Sequence, residues 1–255
     1  MSLFEFALTL ALLASLLEVV TRVGPSPPRR PPPPSPPPVD EWKEFRWEFS
    51  TGLERHALKC RIGIRSEAYA SARERLRDTS PSKIALRSDE DGFEIAIEEV
   101  LDEEAGAPAP EIGEIVGFLT GVADEKGFSN YQLANLILSF VQEQCIRYSY
   151  DEDSTGFIEY FRFPLETVVD ETGDCDCKAI LACALFHRAR FRVAFALMPG
   201  HAALALASEE VLPFANWIYK GRRWYYCEAT GDGWEAGAIP PSVRKHSVDL
   251  REIEE

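Results

Sequence analysis

The alternation of polar and apolar positions changes period several times along the chain. In ALKCRIGIR, Leu58, Cys60, Ile62 and Ile64 alternate with Lys59, Arg61 and Arg65, and FRWEF precedes them. A two-residue period of this kind predicts a half-buried strand within residues 45–65. Residues 66–77 read as a polar helix, residues 93–101 fit either period, and residues 105–110 read as a loop. Leu133, Leu136, Ile137, Phe140 and Val141 recur at helical spacing, predicting a helix over residues 131–145. Ser129 and Gln132 supply a capping box for it, and Phe128 can staple onto Leu133. Residues 151–156 read as a loop. A second helix is expected from about Cys175, capped by Asp174 or Thr172, through Ile180, Leu181, Ala184 and Leu185 to about His187. Strands follow at residues 191–198 and 202–207. NWIYKGRRWYYCEAT then reads as a hairpin turning at Lys220-Gly221-Arg222. An α-rich half followed by an antiparallel β half indicates an α+β fold. No internal repeat is visible.

Two further segments precede these elements. Residues 3–20 read LFEFALTLALLASLLEVV, uncharged from Phe6 to Leu17. Eighteen helical residues span about 27 Å, close to the hydrocarbon thickness of a bilayer. Residues 1–23 are therefore expected to cross a membrane as a single apolar helix. A short helix lying in the interface or docked on a partner is the alternative. Residues 24–40 contain ten prolines in 17 positions. Such a stretch adopts extended polyproline II, a stalk on the order of 50 Å long. Its PxxP strings would also suit a Pro-binding module. Residues 41–110 then form a strand and helix extension, and residues 111–255 the main domain.

With 255 residues and 45% hydrophobic content, the chain can bury a real core. The net charge of −15 comes from 42 acidic and 27 basic side chains. Residues 1–40 carry no net charge, so the excess belongs to residues 41–255. That argues against nucleic-acid binding, which needs a basic face. The six cysteines (Cys60, Cys145, Cys175, Cys177, Cys183 and Cys227) do not read as a disulfide framework in a chain this long. No Gly-rich phosphate loop follows a strand, so no cofactor is expected. Oligomeric state is not legible.

Three residues suit nucleophilic chemistry: Cys175 at a helix start, His201 at a strand start and Glu228 at a strand end. A helix N-terminus offers unpaired amides that favour a thiolate. The thiolate needs a base, and the base needs an orienting acceptor. His187 lies twelve residues beyond Cys175 on the same helix, about 18 Å along its axis, too far to serve. His56 and His246 lie outside the helix-then-strand unit. Each of the three residues alone also has a plain structural reading, as a small apolar thiol or a capping group.

The stretch from Phe140 to Pro240 resembles a transglutaminase-like domain, in the subfamily of membrane-anchored prokaryotic proteins. The resemblance is carried by FVQEQCIRYSYD, YFRFPLETVVDETGDCDCKAILACALF, MPGHAALAL and WYYCEATGDGWEAGAIP, in order, over about 100 residues. It implies a papain-like fold, with the nucleophile helix packed on an antiparallel sheet. It also implies a Cys175–His201–Glu228 triad acting on peptide or amide bonds, with Glu228 in place of the usual Asp. The Cys175 amide is the natural oxyanion donor, with Gln142, or else Gln144, as a side-chain donor. Arg162 and Glu166 are expected to order the loop leading to the nucleophile helix. Related sequences carry two acidic residues after Gly-Asp-Cys; here the second is Cys177, either a passive thiol or a resolving one.

The implied activity is cysteine-dependent acyl transfer on a protein or peptide substrate, with hydrolysis favoured over crosslinking. Two alternatives remain: a catalytically inactive binding module on a membrane stalk, and a zinc site formed by Cys175, Cys177, Cys227 and His201. Arg22, Arg29 and Arg30 follow the apolar segment, which places the main domain in the cytoplasm by the positive-inside rule. Protease added to intact cells should leave that domain uncut until the cells are lysed; digestion from outside reverses the orientation.

Overall fold

The computed structural model describes residues 39–78, 109–156 and 160–253. The apolar segment at residues 3–20, most of the Pro-rich stretch and the ambiguous residues 93–101 lie outside the described residues. Among the described residues no helix is long and apolar enough to cross a membrane.

Strands β1 (Glu41–Thr51) and β2 (Glu54–Ile64) pair as an antiparallel hairpin, with Phe45 opposite Cys60. The alternation holds as far as Ile62: Phe45, Trp47, Phe49, Cys60 and Ile62 are buried, and Glu44, Arg46, Lys59 and Arg61 are exposed, but Arg65, expected on the exposed side, is buried against Glu111. Helix α1 (Ser66–Asp78) follows, as expected. Helix α2 (Pro110–Lys126) was not evident in the sequence pattern, because glycines at 113, 117 and 121 dilute it. It starts on a proline, ends on Gly127 in the left-handed region, and buries Ile112, Ile115, Val116 and Leu119 at helical spacing. Gly113 has a packing reason: a Cβ there would sit 2.6 Å from Arg188 Nη2.

Helix α3 (Asn130–Val141) carries the expected capping box: Ser129 Oγ accepts from the Gln132 amide, and Gln132 Oε1 from the Ser129 amide. It ends at Val141 rather than at residue 145, because Gln142 turns to an extended conformation. Strand β3 (Arg147–Tyr148) pairs in parallel with β4 (Thr172–Gly173). Between them lie two short helices, α4 (Asp151–Thr155) and α5 (Pro164–Asp170). The sequence suggested a loop for residues 151–156. A helical turn forms because Asp151 is buried and accepts from the Tyr160 amide and the Arg162 guanidinium.

Helix α6 (Cys175–Arg188) starts where expected. It packs on a sheet made of β5 (Val193–Met198), β6 (His201–Ala207), β7 (Trp217–Tyr219), β8 (Arg222–Cys227) and β9 (Asp249–Glu252). The strand order is β7-β8-β6-β5-β9, with every neighbouring pair antiparallel. The short strand β9 was not anticipated. The described chain is thus mixed helix and sheet, an α+β arrangement.

One face of the sheet (Phe195, Leu204, Leu206, Cys227) closes a core with α6, α2, α3 and the hairpin. The other face (Ala194, Ala196, Ala203, Ala205, Trp224, Tyr226) closes a smaller one under Val243 and Leu250. The β1–β2 hairpin and α1, the described part of the extension, share their core with the main domain. Phe140 shows the coupling: its ring meets Phe45 at 5.1 Å and Trp47 at 5.5 Å, edge to face. Replacing Phe140 with Ala should cost roughly 3–5 kcal/mol in urea unfolding, as a single transition. A loss under about 1 kcal/mol would mean that the hairpin is not integral to the core.

Candidate functional site

The site begins at the first turn of α6. Asp174 caps the helix, its Oδ1 accepting from the Cys177 amide at 3.4 Å. Gly173 is required by a close approach, since a Cβ there would lie 2.8 Å from Cys177 Cβ. All six cysteines are free, and Cys175 alone among them is half-buried rather than buried. The amides of Ala202, the residue after His201, and of Asp176 favour the Cys175 thiolate. Burial nonetheless pushes the thiol up to about 12, and the Asp176 and Asp174 carboxyls add to this against the two amides. The sequence led us to expect a thiolate at a helix N-terminus. Desolvation and two acidic neighbours work against that thiolate more strongly than the amides work for it.

His201 and Glu228 meet. His201 Nε2 lies 3.2 Å from Glu228 Oε2 and 3.2 Å from the Tyr226 hydroxyl. Tyr226 donates to the same Glu228 oxygen at 2.5 Å. Glu228 Oε1 accepts from the Thr230 amide at 2.9 Å and from Thr230 Oγ1 at 2.7 Å. Burial would raise the Glu228 carboxyl, but the bonds from His201, Thr230 and Tyr226 overcome it and hold the group down at about 2. Strand pairing explains the arrangement. Ala205 stands opposite Tyr226, so alternation brings His201, Tyr226 and Glu228 to one face of the sheet. Cys175 packs with the core on the α6 side, while Tyr226 belongs to the opposite face. The thiol is near enough to Tyr226 for their charges to act on each other. The imidazole's Nδ1 makes no hydrogen bond among the described residues.

Gln142 has a different place from the one expected. Its Nε2 donates to the carbonyls of Glu228 at 3.0 Å and Trp234 at 2.9 Å, and its Oε1 accepts from the Gly233 amide at 3.1 Å. Both amide hydrogens are used, so Gln142 has none left for an oxyanion. It clamps the loop that follows Glu228. Gln144 is also engaged, accepting from the Glu48 amide and donating to the Glu48 carbonyl.

Arg162 and Glu166 order the approach to α6. Arg162 is buried; its guanidinium meets Asp151 at 3.0 Å and Ser154 at 2.9 Å. Glu166 accepts from the Phe163 amide at 3.0 Å and from the Tyr160 hydroxyl at 2.8 Å. Cys177 is buried against the segment around Tyr160. Its Sγ accepts from the Arg162 amide at 3.3 Å and donates to the Tyr160 carbonyl at 3.2 Å, the role of a passive thiol.

Donor atoms of Asp151, Asp174, Asp176 and Cys177 lie within 4.8 Å of one another. Arg162 supplies positive charge to Asp151 in this cluster, and Asp174 pushes the buried Asp176 carboxyl further up. The suggested zinc set is not gathered: Cys177 faces Tyr160, and Cys227 Sγ turns to the Tyr225 carbonyl.

Three nearby residues were not singled out from the sequence. Asp176 is buried next to the nucleophile position. Lys178 is fully buried, with Nζ on the Ile146 carbonyl at 2.5 Å, and burial lowers it to about 8. Tyr226 could have been found, because it stands two positions before Glu228 on one strand. Compared with known proteins, the chain matches no protein-family profile and no curated protein.

Asp151 makes the cluster sensitive to pH. Burial first, and Asp174 second, push its carboxyl up to about 7, against the Tyr160 amide and Arg162. A carboxyl raised on folding contributes stability at low pH that is lost as pH climbs through the folded value. Unfolding free energy should therefore fall between about pH 4 and pH 7, by about 4 kcal/mol at most. Asp151→Asn should flatten that slope in urea titrations repeated across the range; an unchanged slope would place the titration elsewhere.

Proposed function

We propose that the protein is a cysteine-dependent acyl-transfer enzyme with a papain-like arrangement, acting on peptide or amide bonds. The observation that carries this reading is the His201–Glu228 pair at 3.2 Å; the amide of Ala202, the residue after His201, acts on the Cys175 thiol from the same strand. Glu228 engages Nε2, which leaves Nδ1 as the nitrogen that accepts a proton. A helix that starts with a half-buried cysteine and packs on an antiparallel sheet is in keeping with the resemblance noted in the sequence.

Because the thiol is held neutral, proton transfer to His201 accompanies attack instead of preceding it. The Cys175 sulfur bonds to the substrate carbonyl carbon as its proton passes to the imidazole. The resulting oxyanion is received by the Cys175 amide, with no contribution from Gln142. The imidazolium then protonates the departing amine, leaving a thioester. Water, deprotonated by His201, attacks the thioester and frees the acid and the thiol. An amine in place of water would give a crosslink; hydrolysis is favoured because water is always present. The apolar segment at residues 3–20 and the Pro-rich stretch after it would hold the enzyme at a membrane, with its domain in the cytoplasm.

One observation favours a second reading, a binding module without activity: the acidic neighbours and burial that keep Cys175 protonated. A screen of peptide and amide substrates separates the two. Cys175→Ser and His201→Ala should each lower turnover by about a thousandfold or more. Iodoacetamide should label Cys175 before Cys60 or Cys183, more slowly in His201→Ala. Equal turnover by wild type and Cys175→Ser would leave the binding module.

A further inference from the structure

We infer that Tyr226 is a positioning residue of this site, whose hydroxyl sets the hydrogen-bonding state of the His201–Glu228 pair. The inference rests on the acyl-transfer reading only for its purpose; the geometry stands without it. Three polar atoms form a triangle: Tyr226 Oη, Glu228 Oε2 and His201 Nε2, with sides of 2.5, 3.2 and 3.2 Å. The shortest side assigns the protons. A carboxylate is an acceptor only, so the phenol hydrogen lies on the bond to Glu228. With its hydrogen committed there, Tyr226 Oη can only accept from His201. Both neighbours of Nε2 are then acceptors, so Nε2 carries a hydrogen shared between them. Nδ1 is left without one, in the form that a base requires.

The second effect is on strength. Glu228 accepts four hydrogen bonds, two from Thr230, one from Tyr226 and one from His201. Each donor draws charge from the carboxylate. Tyr226 therefore weakens the hold of Glu228 on the imidazolium and helps His201 to return its proton. Tyr226 is buried, so its hydroxyl has no water to turn to, and a Phe at this position would fill the same space. On α6, the Cys175 thiol acts on Tyr226, and Asp176 and Asp174 act on that thiol. Phe in place of Tyr226 alters none of them.

The test is nitrogen NMR on the full chain with 15N-labelled histidine. The chain has four histidines, and the His201 signal is the one missing in His201→Gln. The neutral ring should carry its hydrogen on Nε2. In Tyr226→Phe the pH midpoint of the His201 signals should move upward by about half to one unit, a roughly three- to tenfold gain in proton affinity. Tyr225→Phe is the control, because the Tyr225 hydroxyl meets the Leu212 amide and the Glu210 carbonyl instead. It should leave the midpoint in place. A midpoint unmoved or lowered in Tyr226→Phe overturns the inference, as does a wild-type ring protonated on Nδ1, a measurement that needs no variant. The experiment requires neither substrate nor reactive thiol. A shifted midpoint in a chain without turnover removes the proposed function alone; an unshifted one in an active chain removes the role of Tyr226 alone.

Discussion

The pairing of β6 with β8 is the constraint on which the site depends. In the register that sets Ala205 against Tyr226, His201, Tyr226 and Glu228 share a face, while Leu204 and Cys227 fill the core beneath α6. A slip of one residue would turn Glu228 into that core and Cys227 out of it. Burial on both faces of the sheet makes such a slip costly. The functional geometry is therefore specified by apolar packing: the alanines and leucines of β6 fix where the imidazole stands.

Around that sheet the structure holds an unusual amount of buried charge. Arg162 faces Asp151, Asp174 and Asp176 stand side by side, and Lys178 rests on a backbone carbonyl. Charges taken out of water are tolerated when they are paired or when burial shifts them towards their neutral form. Both solutions occur around the start of α6: Arg162 pairs with Asp151, and burial lowers Lys178 and raises Asp176. They keep the end of that helix, with its thiol, tied to β4, α4 and the segment around Tyr160. They also explain why the thiol is neutral at rest.

Much of this was legible in the sequence, for identifiable reasons. The hairpin strands and α3 follow strict periods, and Ser129 and Gln132 marked a boundary that the structure keeps. Asp174 marked the start of α6 in the same way. Helix α2 escaped because three glycines, poor helix formers, are spread along it. Helix α4 escaped because its cause, a carboxylate paired with an arginine eleven positions on, is not local. The meeting of His201 with Glu228 was what the resemblance of PGHAAL and CEAT implied; residue spacing alone had left it open. The misplacement of Gln142 had a different origin: residue type alone cannot say whether an amide looks into a cleft or secures a loop. The thiol's protonation state was missed because the N-terminal amides were visible in the sequence and the desolvation was not.

Helix α6 is enclosed on every side. Ile180, Leu181, Ala182, Cys183, Leu185 and Phe186 are all fully buried, although they point around the whole circumference. An ordinary surface helix tolerates change on its wet side, and that tolerance rises and falls once per turn. Here the rhythm vanishes. The middle of α6 behaves as an axle inside a bearing, intolerant at each angle, and the freedom to vary is displaced to its last turn and to the strands' outer ends.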